Sequence, residues 1–148
     1  MNIQGGYMNL EEVFQGLTEF SNIVKDELSK IKNIQFQYDD SNKNEQFLYS
    51  HYMEIISDMG YIIEDIEYIN RPVLLSGIVT LQGNKLYLNN LELKSGDTIE
   101  SLIEDEWQKV EIYQVKGEFY GPLLKGTLNN YGRIRLTEEE AKNRLPQK

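Results

Sequence analysis

Three stretches of this 148-residue chain hold side chains of the kind that chemistry uses. The first is ESLIEDEWQKVEI, residues 100–112, where Glu104, Asp105 and Glu106 directly precede Trp107, the only tryptophan. Metal-assisted catalysis needs ligands that converge on an open site, and neighbouring residues of a strand point to opposite faces. The triplet lies between two strand-like runs, so it reads as the solvated turn of a hairpin. Trp107 then packs at a barrel edge, its indole N–H reaching a partner or water. The second stretch, residues 40–51, sets Asp40, Asn42 and Asn44 at the first, third and fifth positions of a calcium loop. Glu45 stands where that loop needs glycine and His51 where it needs a bidentate glutamate, so these residues serve a turn and a helix cap. The third, GPLLKGT at 121–127, has the two glycines of a phosphate loop, but Lys125 precedes the second glycine and Pro122 lacks an N–H.

His51 is the only histidine, with no nucleophile selected beside it, and there is no cysteine. Disulfides, thiol nucleophiles and multi-histidine metal sites are excluded together. The expectation is a non-enzyme without cofactor or metal. Arg133 and Arg135 alternate along one strand and should share a face. With Lys125, Tyr113, Phe119, Tyr120 and Tyr131 they would make a modest surface for stacking bases, although most of these aromatics are expected in the core. Without a basic stripe, direct nucleic-acid binding is disfavoured.

The elements that must position these residues divide at Pro72. Residues 1–72 hold 5 Lys/Arg against 13 Asp/Glu, net −8, and residues 73–148 hold 10 against 11, net −1. In the first half, Leu48, Tyr52, Ile55, Met59, Ile62, Ile66 and Ile69 are spaced alternately by four and three, a heptad seam. Tyr49, Ile56 and Ile63 widen it. Gly60 weakens this helix or kinks it. A first helix is marked by Asn9 as N-cap, Glu11 and Glu12 at its positive end, and Leu10, Val13, Phe14, Leu17, Phe20, Val24, Leu28 and Ile31 at intervals of three or four. Glu27 occupies a seam slot. A short strand through Ile34, Phe36 and Tyr38 precedes the turn at Asp39–Asn42. The prediction for residues 1–72 is an acidic antiparallel hairpin with helices at about 10–32 and 45–69. Its stripes are too wide for two helices to cover, so the remainder must meet the second half, another copy or a partner. Met8 is an alternative start, with residues 1–7 an extension.

After Pro72, five or six short strands alternate with turn signals at Gln82-Gly83-Asn84, Ser95-Gly96-Asp97, Lys116-Gly117 and Asn129-Asn130. This spacing indicates a small barrel or sandwich over 73–136. Residues 137–148 read as a short helix or tail, with Thr137 and Glu140 spaced for a capping box. No apolar run approaches the ~20 residues of a membrane span, and the first residues lack a secretory signal, so a cytoplasmic protein is expected.

Gly77, the Ser95-Gly96-Asp97 turn, Trp107, Tyr120, Gly126 and Arg133-Ile134-Arg135 together resemble a small uncharacterised β-domain family. That family is found in plasmids, phages and conjugative elements of Gram-positive bacteria. The resemblance covers roughly residues 74–136 and is similar to an SH3-like barrel. It implies a small antiparallel barrel of mobile-element origin without an assigned activity; with the helical hairpin, which lies outside the resemblance, the expected fold class is α+β. The functional expectation is a protein-binding protein that offers Glu54, Asp58, Glu64, Asp65 and Glu67 to a basic partner, such as a host nucleic-acid-handling or defence protein, in the manner of an anti-CRISPR inhibitor. The alternatives are a homo-oligomer or complex subunit joined through the helical seam, and a weak nucleic-acid adaptor using Trp107, Arg133 and Arg135.

Overall fold

The computed structural model describes residues 9–32 and 37–146. It divides into two units, residues 1–70 and 71–148. The fold class is α+β: two helices, then a mostly antiparallel sheet.

The first unit pairs α1 (Leu10–Lys32) with α2 (Lys43–Asn70). α1 opens on a capping box: Asn9 Oδ1 accepts from the Glu12 N–H (2.9 Å), and the Asn9 N–H donates to Glu12 Oε2 (3.0 Å). This arrangement satisfies two donors that a helix start otherwise leaves open. Asn42 Oδ1 caps α2 by accepting from the N–H groups of Asn44 and Glu45. The helices run antiparallel, because Thr18 meets Asn70 (3.4 Å) while Lys25, further along α1, meets Glu67 (2.5 Å). Their shared seam buries Ser21 and Leu28 of α1 against Ile63 and Ile66 of α2. Of the strand predicted between the helices, Ile34 and Phe36 lie outside the described residues. Among the described residues, no helix is long and apolar enough to cross a membrane.

The second unit is built on β1 (Val73–Gln82), β2 (Lys85–Leu88), β3 (Leu91–Leu93), β4 (Thr98–Ile103), β5 (Glu106–Glu111) and β8 (Tyr131–Arg135), in the order β3-β2-β1-β8-β4-β5. β6 (Tyr113–Val115) and β7 (Glu118–Tyr120) form a separate two-stranded ladder. The long β1 changes partner midway: Val73–Ile78 pairs with β8, and Val79–Gln82 with β2. Val79, at the change, is fully buried with Leu86, Leu88, Ile99, Ile112 and Ile134.

The sequence predicts a closed SH3-like barrel; the sheet instead stays open, with β3 and β5 as its edges. One physical reason is α3 (Pro122–Thr127), which packs against β4 and β5 and adds Leu124 to the core that closure would otherwise enclose. Residues 121–127, which read as chain punctuation, are therefore a short helix, with Pro122 at the first turn where its missing N–H is harmless. α4 (Glu138–Arg144) starts at the expected Thr137–Glu140 capping box. It is tied to the sheet unit by Arg144, whose two guanidinium nitrogens each donate to Asp97 at 2.7 Å. That bidentate geometry is the strong form of the Arg–carboxylate pair.

Ser101 and Gly132 face each other across β4 and β8. Ser101 is fully buried, and its hydroxyl has no partner among the described residues. A Cβ on Gly132 would come within 2.8 Å of Val79 Cγ2. The pair gives opposed expectations. Gly132→Ala overpacks the core and should lower unfolding free energy by about 1–3 kcal/mol. Ser101→Ala removes a desolvated hydroxyl and should leave stability equal or raise it by about 1 kcal/mol. Urea titrations followed by Trp107 fluorescence read both; a stabilising Gly132→Ala would show that β1 and β8 are not packed this closely.

Candidate functional site

The polar face of the sheet centres on Glu100. Cross-strand register places it opposite Arg133 on β8 and Lys109 on β5. Its Oε1 accepts from Arg133 Nη2 at 2.8 Å and its Oε2 from Arg135 Nε at 2.6 Å. Arg135 Nη1 also donates to the Arg71 carbonyl at 2.9 Å. Burial alone would raise the Glu100 pKa. The hydrogen bonds and charges of Arg135 and Arg133 together outweigh it and hold the carboxyl below its ordinary value.

The two arginines share a face, as their spacing predicts, but Glu100 takes up much of their hydrogen-bonding capacity. Arg133 also lies over the Trp107 ring, 3.9 Å from its centroid, with Tyr131 edge-on to that ring at 6.2 Å. This cation–π contact uses the aromatic face that a stacked base would need. The expectation that most of the aromatics are core is corrected. Trp107, Tyr113, Tyr120 and Tyr131 are each 40–52% exposed, because they alternate with inward-facing residues on strands covered on one side only. They are also not one surface: Tyr113 pairs with Tyr120 on the β6–β7 ladder, away in register from Trp107 and Tyr131.

The carboxylate triplet is a hairpin turn. Ile103 pairs with Glu106, and Glu104 and Asp105 between them have φ of 51° and 66°. This is the two-residue turn in which both central residues are left-handed, the conformation that favours Asn-Gly. Among the described residues no cluster of His, Asp or Glu could hold a metal ion. His51 stacks on Phe47 (5.6 Å) with Glu54 3.7 Å away.

The hairpin's acidic residues separate into two groups. Glu64 and Glu67 line a groove of about 280 Å³ with Lys25, Ser29, Lys32 and Gly60, and Glu67 is the partner of Lys25. Glu54, Asp58 and Asp65 lie on other sides of α2, bordering an apolar stripe rather than that groove. The stripe is Tyr52, Ile55, Ile62 and Ile69, each 46–53% exposed, in heptad spacing. α1 has its own exposed stripe of Leu10, Val13, Leu17 and Phe20.

On both helices the exposed stripe sits one residue before the inner seam: Val13/Phe14, Leu17/Thr18 and Phe20/Ser21 on α1, Ile55/Ile56 and Ile62/Ile63 on α2, where Ser21 and Ile63 are buried and Phe14, Thr18 and Ile56 half-buried. One residue is about 100° of rotation. A two-fold axis perpendicular to both helices relates an antiparallel pair, so an offset of the same sense puts both stripes on one face of the hairpin. Periodicity revealed the wide stripes. It did not reveal which edge pairs internally, because that depends on the opposing helix; the signal was the presence of two adjacent heptad registers in each segment.

Glu100, with its pKa depressed, contributes stability that is complete above about pH 4.5, its unperturbed value, and is lost as pH falls through the folded pKa. Glu100→Gln should cost about 1–2 kcal/mol at pH 7, modest because the side chains keep 12–26% exposure. It should also flatten the fall in stability below pH 4.5; an acid profile parallel to the wild type would mean Glu100 is not held as a carboxylate. Glu104→Asn with Asp105→Gly should raise the thermal midpoint, worth about 1 kcal/mol. An unchanged midpoint would show that the turn carries no strain. Comparison with protein-family models, curated proteins and solved structures returned no match for this chain.

Proposed function

We propose that the protein is a non-enzymatic assembly module whose helical hairpin docks a helical protein surface through the apolar face it leaves open. The observation that carries this reading is the run of half-exposed isoleucines at 55, 62 and 69, matched on the same face by Leu17 and Phe20. Amphipathic helices dock by laying such a stripe into a complementary groove, and contiguous exposed apolar patches mark interaction sites. A binding protein also suits a sheet face whose charged groups are engaged with one another.

A second reading keeps the same face and adds its rim. Glu54, Asp58 and Asp65 beside the stripe favour a partner with basic residues around an apolar groove, such as a nucleic-acid-handling protein. The mobile-element resemblance would make the chain an inhibitor of the anti-CRISPR kind. An SH3-like origin for the strand unit is supported by the partner change of β1 midway along its length.

A photo-crosslinking residue tests the proposal when placed at position 62 and, separately, at position 29 on the groove side. Protein adducts should form in the producing cell from position 62 and not from 29, and should persist at high salt. Adducts that vanish in high salt would favour the acidic-rim reading. Equal adducts from both positions would remove the assignment to this face.

A further inference from the structure

We infer that the occupant of the hairpin's apolar face is a second copy of this chain, so that two hairpins complete a four-helix bundle. The inference rests on the docking reading above and names its partner. In a four-helix bundle each helix touches two neighbours roughly a right angle apart. α2 has two apolar stripes offset by one residue, about 100°, and α1 has an exposed apolar stripe one residue before a mixed seam of Phe14, Thr18, Ser21 and Leu28. One stripe is used inside the hairpin, by Ser21 and Leu28 against Ile63 and Ile66, and the other is open on the shared face. The hairpin is half of such a bundle and lacks two helices with the same geometry. A second hairpin supplies them without any new surface, as an isologous two-fold interface requires.

Area and charge agree with this. A half-exposed large side chain shows on the order of 100 Å². The apolar residues of the face therefore approach the roughly 800 Å² per partner of a standard interface. The outer border of α2 carries Glu54, Asp58 and Asp65, so two α2 helices side by side would repel. The corresponding border of α1 holds Gly16, Ile23 and Lys30, of which Lys30 sits beside Glu27 at 2.6 Å and Ile23 is 66% exposed. The favoured arrangement sets α1 of one copy against α2 of the other. Glu27, in the one charged slot of the α1 stripe, is already paired with Lys30 of its own helix.

Sedimentation equilibrium of the full chain at micromolar concentration is the test. The expected mass is about twice the 17.3 kDa of one chain. Ile55→Asn with Ile62→Asn should return it to a single-chain mass with helical ellipticity retained. Leu17→Asn on the other helix should do the same, and it keeps the test decisive if the double variant loses its helix. A wild type that stays at 17.3 kDa overturns the inference, as does a dimer that survives these substitutions in folded protein. The cysteine-free chain then separates the two failures. If the monomer is overturning evidence and its Ile62→Cys variant reacts rapidly with a maleimide, the face is open and the docking reading stands with another occupant. If that cysteine is protected in a monomer, the face is covered by its own chain, and the docking reading falls as well.

Discussion

Two helices laid side by side can each hide only the side that faces the other, and this limit governs the first unit. α1 and α2 each have apolar side chains across more than one side, and their pairing uses the inner edge of that width. Pairing along the outer stripe instead would have enclosed larger side chains, Leu17 and Phe20 against Ile55 and Ile62. The observed seam holds Thr18 and Ser21, small residues that let the helices approach. Polar links at Thr18–Asn70 and Lys25–Glu67 then lie along the seam and the groove beside it. The hairpin leaves part of its apolar surface uncovered by its own pairing. An isolated pair of helices with so thin a core is marginal in water, so covering the open face would also supply much of the unit's stability.

The strand unit solves a different problem. β1 serves two partner strands of one sheet in succession, and the point of exchange needs an apolar residue facing in and an absent side chain beside it. Val79 and Gly132 meet that need. On the outer face, Glu100 holds Arg133 and Arg135 in fixed positions, and Arg133 in turn covers Trp107. These groups were candidates for recognition because they are charged and aromatic. Their geometry shows them satisfying each other, which argues for a structural part in keeping neighbouring strands in register.

The helices were legible in the sequence because the heptad spacing of 48–69 and the Asn9 cap are local signals, each written within one or two turns. The carboxylate triplet was legible as a turn for the same reason. The openness of the sheet was not, since strand number and turn spacing do not determine whether the two edge strands meet. α3 was missed because a six-residue helix opened by Gly-Pro looks like a loop at that length. The division of the acidic residues was also hidden: Glu64 and Glu67 fall in the same stretch as Asp58 and Asp65, and only the position of α1 decides which side each one borders.

The order in which the units can form follows from the pairing of β1. Val73 must wait for Arg135, and Ile78 for Tyr131, while Asp97 meets Arg144 only after α4 has been made. The second helix of the hairpin ends at Asn70. During synthesis, which proceeds in chain order, both helices of the hairpin emerge while the sheet still lacks β8, the strand between β1 and β4. The ribosome therefore releases every residue of the hairpin long before it releases the strand that joins the two halves of the sheet.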